Sequence, residues 1–540
     1  MIIKKFKIAT LFYISIFFFL CCEKNDTNVK TSIEKQILHL GNGAEPQTLD
    51  PQLSTAVGDG RIIGGLMEGL LNSDPKTLAP IPGVAKSWSI SDDLINISFY
   101  LRNDAYWSNG DKVTAYDFMY SYERMLTPEL GAQYSYMLYV IKNAKDFNLG
   151  KIKNFDKVGL TAPNDSTLII TLESPTPYIL ELINHGSWLP VHPGTIAKFN
   201  AKTNRGTHWT KPEYYVGNGP FILDEWTVNS RIVLKKNPFY WDSEKVRLNE
   251  VRFYPIESAD SEERAFRAGY IHDTQTVPLH RIDHYKNQDD GPLRLDTYLG
   301  VYYYRFNVTK PPLDDSRIRK ALSYAINRED LVKHVLKAGQ VPAYCFTPHG
   351  TGDINFGAFY DYNIELSKEL IKEYLNDNGL KEMPVIELKY NTSEAHQKVA
   401  EAIQNMWKSN LGLNVVLDNQ EWKVFLSTIQ QLDYEIARAG WIGDYNDPNT
   451  FLDMWVTDGG NNQTGWSNKR YDNLILTASK ELDRNKRMNY FKECEEILGS
   501  EMPVIPIYFY VNQSLTDKSL KGWHGNVLDK HPLKFVYLGE

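Results

Sequence analysis

Cysteine is scarce in this chain: four residues in 540, two of them adjacent at Cys21 and Cys22 near the amino terminus. Only Cys345 and Cys494 lie beyond that point, so no disulfide framework supports the fold. Neither has neighbours at metal-ligand spacing, and each reads as a small buried side chain rather than a reactive thiol. Positive charge is not in excess either. With 59 Lys and Arg against 67 Asp and Glu, the net charge of −8 argues against nucleic acid as a partner. The chain also lacks a Gly-x-Ser-x-Gly nucleophile elbow, a His-Glu-x-x-His zinc motif and a Gly-x-x-x-x-Gly-Lys phosphate loop. Carboxylates remain as candidates for glycosidase-like chemistry, Asp444 with Asp447 or Glu421, but that chemistry depends on a separation that sequence does not give. No Pro/Ser-rich linker divides the chain.

What is present begins with an amino-terminal address. Lys4, Lys5 and Lys7 precede an apolar run from Ile8 to Leu20, too short for a comfortable membrane span and of the form of a secretory signal. Cys22 follows it where a bacterial lipoprotein would be cleaved and lipidated, although Phe19 and Leu20 depart from the tightest form of that box; an uncleaved anchor is the alternative. From Glu23 to about Ser32 the chain is polar and reads as a flexible leash.

Beyond it, 42% hydrophobic and 23% charged residues describe a globular chain long enough for several lobes, and 33 Tyr with 12 Trp hint at an aromatic-lined binding surface or a large aromatic core. Alternation and turn residues predict strands at Gln36–Leu40, around Ile95–Leu101 and Leu168–Leu172, at Phe221–Trp226 paired with Arg231–Lys235, at Val251–Pro255 and at Tyr302–Val308. Helical spacing predicts helices at Arg61–Leu70, after Thr114 as N-cap, over Ser316–Ala338 and over Glu394–Leu411. A strand at Asn414–Leu417, a helix at Glu421–Gln431 and a strand at Tyr434–Ala439 then form a β–α–β order that implies parallel pairing. Beginning as the end of that last strand, Ala437-Arg438-Ala439-Gly440-Trp441-Ile442-Gly443-Asp444-Tyr445-Asn446-Asp447-Pro448 breaks at Gly440 and delivers an arginine, a tryptophan and two aspartates to a loop at a strand's carboxyl end. Ligands bind at such places in open α/β sheets, although Asx side chains in turns often hold only their own backbone.

With these stretches the chain resembles the oligopeptide-binding protein family, the solute-binding component of oligopeptide ABC transporters. The resemblance rests on Ala44–Gln52, Trp107–Asp117, Gly217–Trp226, Asn237-Pro238-Phe239-Tyr240-Trp241, Lys310–Arg328, Tyr390-Asn391-Thr392-Ser393, Trp422–Leu426, Ala437–Asp453 and Met502–Tyr508, and runs from about Leu38 to near Leu520. It implies an α/β, three-lobed periplasmic-binding-protein-like fold of class II that closes on its ligand like a flytrap. The expected division is a signal peptide at 1–21, a lipidated tether at 22–35, a discontinuous lobe I at 36–67, 191–297 and 512–540, an inserted lobe II at 68–190, and lobe III at 298–511. The implied function is capture of short oligopeptides, largely through backbone and termini, and delivery to an ABC permease with its cytoplasmic ATPases. The protein would be an extracytoplasmic, lipid-anchored monomer without metal, cofactor or enzymatic activity. Residue by residue, the resemblance places Asp444 on the peptide's α-amino group and Trp422, Trp441, Tyr134 and Tyr510 in the cleft, with Val57, Gly440 and Ile442 lining it. Arg438 and His396 match positions used for peptide carboxylates. Simpler readings make Trp422 a core residue, His396 an exposed one, Arg438 the partner of an internal acid, and Asp447 and Asp453 turn or cap residues. The chain departs from its relatives at Thr55, where they can carry an acid, and at Ile442, where they can carry a cysteine. A peptide sensor or adhesin on the same fold, or a binder of dipeptides, metal chelates or glycans, is the alternative.

Overall fold

The computed structural model describes residues 27–352, 355–359 and 361–540. The signal-peptide and Cys22 assignments lie outside the described residues. A mixed six-stranded sheet has the spatial order Val341–Pro342, Val504–Leu515, Leu293–Phe306, Ile436–Ile442, Ile386–Asn391, Val415–Gln420. A four-stranded sheet runs Ile37–Gly41, Glu250–Tyr254, Arg231–Lys236, Phe221–Thr227, and a second, wholly antiparallel one runs Ala85–Ile90, Asn96–Leu101, Thr167–Thr171, Leu160–Asn164.

Two long strands tie the first two sheets together. Leu293–Phe306 and Val504–Leu515 pair antiparallel from Leu293↔Leu515 to Thr297↔Val511, slip, and resume at Val301↔Phe509 inside the six-stranded sheet. At the outer end of this ribbon, Asp273 bridges both Leu40 of the four-stranded sheet and Thr516.

Local signals build the helices that flank the large sheet. Ser393 caps Glu394–Leu411, Val399, Ala400, Ile403 and Trp407 are buried at helical spacing, and Gly412 at φ +69° ends the helix. The Trp407 indole N–H donates to the Leu322 carbonyl at 2.8 Å, so the ring is buried with its polar atom satisfied. In the antiparallel lobe, the Asp117 carboxylate returns to the Thr114 N–H at 2.8 Å and starts the helix Ala115–Leu126.

Five expectations are corrected. Residues Asn28–Lys35 are a docked helix, not a leash: the Val29 N–H donates to the Gly269 carbonyl at 3.0 Å and Ser32 is buried. The helix expected at Arg61–Leu70 is Val57–Leu66, because the Gly219 N–H takes the Leu66 carbonyl and Met67 turns extended. Ser316–Ala338 is not one helix. It stops at Tyr324 and restarts after Asn327, whose side chain caps Asp330; the buried Arg328 guanidinium donates to the Ser323, Ile326 and Pro506 carbonyls. The strand before Asp444 continues through Gly440 to Ile442, since Gly440 faces Tyr302 in the ladder. Finally, the β–α–β strands are parallel but not neighbours: Ile386–Asn391 lies between them and pairs parallel with both.

Candidate functional site

A cavity of about 370 Å³ lies where the large sheet, the Val57–Leu66 helix, the His185 turn and the carboxy-terminal loop converge. Strand Ile436–Ile442 forms one wall. Along its full length it pairs with Gly300–Phe306, but on the other side only Ile436 and Ala437 are paired, to Leu388 and Lys389. The strand edge from Arg438 to Ile442 therefore has no strand partner on that side, and Gly440, Trp441, Ile442, Gly443 and Asp444 line the cavity. An open edge of N–H and C=O groups is a template for an added extended chain.

At the end of this edge stands Asp444, its side chain 10% exposed. Its N–H donates to the Thr450 hydroxyl at 2.9 Å, that hydroxyl reaches back to Oδ2 at 3.3 Å, and Oδ1 lies 3.0 Å from His185 Nε2. The carboxylate is thus aimed by its own turn and already engaged by an imidazole. Around it the aromatic wall is ordered by stacking: Tyr134 lies 6.1 Å from Trp441 and 5.0 Å from His185, centroid to centroid. The Trp441 N–H donates to the Thr450 carbonyl at 2.7 Å, which fixes the ring. Burial, with the Asp444 charge adding to it, pushes the Tyr134 phenol well above its ordinary pKa, so it remains a neutral donor.

A second cluster adjoins Gly440. The Arg438 guanidinium lies 4.8 Å over the Tyr302 ring and donates to the Tyr510 hydroxyl at 2.7 Å and to Asn391 Oδ1 at 3.3 Å. No carboxylate pairs with Arg438 among the described residues, and its Nε is buried without a hydrogen bond. Thr55 lines the cavity. His396 lies 5.6 Å from the Tyr302 ring, and burial, with the Arg438 charge second, drives its pKa well below the ordinary histidine range; it is neutral here. A Cβ on Gly440 would fall 2.6 Å from the Tyr510 hydroxyl and 3.1 Å from Arg438 Nη2, so only glycine leaves the strand edge clear between the two clusters.

The structure thus gathers Asp444, Trp441, Tyr134, Gly440, Ile442 and Val57 around the cavity, and Arg438, Tyr510 and His396 in the adjoining cluster. Trp422 lines neither: half-buried, it opens the helix Trp422–Gln430 and stacks on Phe425 at 6.3 Å. Asp447 holds Arg487 through two contacts of 2.5 and 2.7 Å, and Asp453 accepts from Asn449 at 2.8 Å, structural roles for both. Sequence reasoning missed His185, because it sits in a short loop before a 3-10 turn with no spacing or motif to single it out.

A cavity beside a two-stranded ribbon that ties two sheets together, lined by aromatics, an open strand edge and one aimed carboxylate, is the architecture of a solute-binding protein of the periplasmic type. Residues 79–463 match the model of the bacterial extracellular solute-binding proteins, family 5, middle region, and the chain belongs to that family. It is 38% identical over 536 residues to the oligopeptide-binding protein OppA of Bacillus subtilis, covering 96% of each chain. It superposes on Haemophilus influenzae OppA in complex with the peptide RPPGFSPFR with a TM-score of 0.88 at 34% identity, over 94% of this chain and 99% of that one. Against the unliganded open form of the murein tripeptide-binding protein MppA, also 34% identical and matched over 94% and 98%, the TM-score is 0.61. The overall arrangement of this chain is therefore nearer to the peptide complex than to the open form.

Proposed function

We propose that this protein captures short oligopeptides outside the cytoplasm and hands them to an ABC permease. The observation that carries the reading is the Arg438–Ile442 strand edge, unpaired toward the cavity and ending at the Asp444 carboxylate. An extended peptide adds to that edge through its backbone, which is blind to side chains, and its α-ammonium meets Asp444 in a charge-assisted hydrogen bond. His185 yields or shares Asp444 when the ammonium arrives. Arg438, with no acid paired to it among the described residues, takes the peptide's carboxylate, with neutral His396 as a second polar group beside it. Identically named functions in the OppA relatives support this assignment.

Closure follows from the ribbon. With lobe III at 298–511 and lobe I at 36–67, 191–297 and 512–540, the slip between Thr297 and Val301 lies at the crossing and serves as the hinge. Lipidation of Cys22 would keep the protein at the membrane; among the described residues no helix is long and apolar enough to cross one. Native mass spectrometry of the purified protein, followed by small-angle scattering of the stripped protein with and without peptide, tests the whole reading. Retained masses should be those of short peptides, and saturating peptide should shrink the radius of gyration. A retained non-peptide solute, or no binding of any peptide, would overturn it.

A further inference from the structure

The carboxyl, imidazole, guanidinium and lysine ammonium groups of the cavity wall have partners among the described residues, with one exception. Arg61 is held by Asp529 and Gln275, and Asp529 also accepts from Asn512 at 2.7 Å and contacts His531 at 2.8 Å. Glu68 accepts from the Trp241 indole at 2.6 Å and from Tyr240, and Lys534 pairs with Asp242 at 2.7 Å. Asp444 has His185 at 3.0 Å, and Asp273 accepts from the Thr516 hydroxyl at 2.5 Å. The Lys530 ammonium, on the same wall, has no hydrogen bond or ion pair among the described residues.

This lysine is not on a loose loop. The Asn526 side chain clamps its backbone from both sides, accepting from the Lys530 N–H at 3.1 Å and donating to the Lys530 carbonyl at 2.8 Å. Before it, Asp529 is in the left-handed region at φ +50° and is pinned by Arg61; after it, Pro532 restricts the chain. A rigid segment thus delivers a flexible cation into a closing cleft. An unpaired ammonium there is costly unless something pairs with it. Burial lowers its pKa, and the one charge that works the other way is Asp444. Asp444 is no direct partner: among the described residues no hydrogen bond or ion pair joins it to Lys530, and its contacts are to His185 and Thr450.

We propose that Lys530 is an anion subsite for the side chain of the bound peptide's first residue, so that the protein prefers peptides beginning with aspartate or glutamate. The subsite rests on the peptide reading above: Lys530 and Asp444 line the same cavity, so with the α-ammonium on Asp444 the first side chain is the part of the ligand that enters the space Lys530 lines. Ligand ammonium and ligand carboxylate then meet protein carboxylate and protein ammonium, and the two pairs reinforce one another in a cleft shielded from water.

Titration calorimetry at neutral pH with Ala-Ala-Ala, Glu-Ala-Ala and Lys-Ala-Ala tests this. Wild type should bind Glu-Ala-Ala at least tenfold tighter than Ala-Ala-Ala, about the value of one charge-assisted hydrogen bond, and Lys-Ala-Ala more weakly than either. Lys530→Met should bind Ala-Ala-Ala within about threefold of wild type while the glutamate preference disappears, and Lys530→Arg should retain the preference. Equal affinities for Glu-Ala-Ala and Ala-Ala-Ala in wild type, or a preference that survives in Lys530→Met, would overturn the subsite and leave the peptide reading standing. Failure of all three peptides to bind wild type would overturn both.

Discussion

Replacing Asp444 by alanine removes the carboxylate while sparing the turn, because the hydrogen bond that shapes the turn comes from the Asp444 backbone N–H to Thr450. In the closed cleft the incoming α-ammonium then has no counter-charge, and His185, which lies 3.0 Å from Oδ1 in the unmutated protein, is left facing it. Breaking a buried ion pair by deleting one partner costs about 3–5 kcal/mol, since the surviving charge remains desolvated. At about 1.4 kcal/mol per tenfold, peptide affinity should fall roughly 10²- to 10³-fold or slightly more. Asp444→Asn keeps an acceptor for the Thr450 hydroxyl and loses only the charge-assisted part, ~1.5–3 kcal/mol, so it should cost about 10- to 150-fold. The assay is calorimetry on wild type and Asp444→Ala, each with a free and an amino-acetylated peptide. Acetylation should weaken binding to wild type about as much as the mutation does, and should matter far less to the mutant, giving a coupling of several kcal/mol in the double-mutant cycle. If the two losses simply add, Asp444 supports its loop and another group holds the amino terminus.

Three further outcomes are expected. Gly440→Ala places a methyl 2.6 Å from the Tyr510 hydroxyl and 3.1 Å from Arg438 Nη2; side-chain ends can yield, so the melting temperature should stay near wild type while peptide affinity falls about tenfold or more, and unchanged affinity would remove the strand edge from the site. Glu262 is buried, with Oε1 lacking any partner, and burial, assisted by Asp273 and opposed by the Gln275 and Thr276 N–H groups and by Arg61, raises its pKa to about 8. The native state therefore holds a proton that the unfolded state has released above its ordinary value, so this contribution is complete at low pH and is lost as pH rises toward 8, at up to about 1.4 kcal/mol per unit. Glu262→Gln should gain stability relative to wild type across pH 5 to 8 in denaturant titrations, and parallel curves would refute the assignment. Cys22→Ser should move the mature chain from the detergent phase to the aqueous phase; unchanged partitioning would indicate an uncleaved anchor.

The sequence by itself determined whatever depends on neighbours along the chain. Ser393, the spacing of Val399, Ile403 and Trp407, and Gly412 define one helix end to end, because caps, apolar periodicity and a left-handed stop act within a few residues. Thr114 and Asp117, and the hairpin Phe221–Thr227 with Arg231–Lys236, are of the same kind. Family resemblance added the family itself and the aspartate at the centre of the site. Tertiary structure decided what those signals could not: that Gly440 stays in a strand because Tyr302 faces it, that a long helix breaks where buried Arg328 captures the Ser323 and Ile326 carbonyls and that of Pro506 in a sheet strand, and that residues 28–35 dock instead of trailing free. It also brought His185 to Asp444 and carried Lys530 to the same cavity. Neither residue has a local pattern to announce it, because His185 takes its place from Asp444 and Lys530 from a cavity wall that the fold assembles from distant parts of the chain.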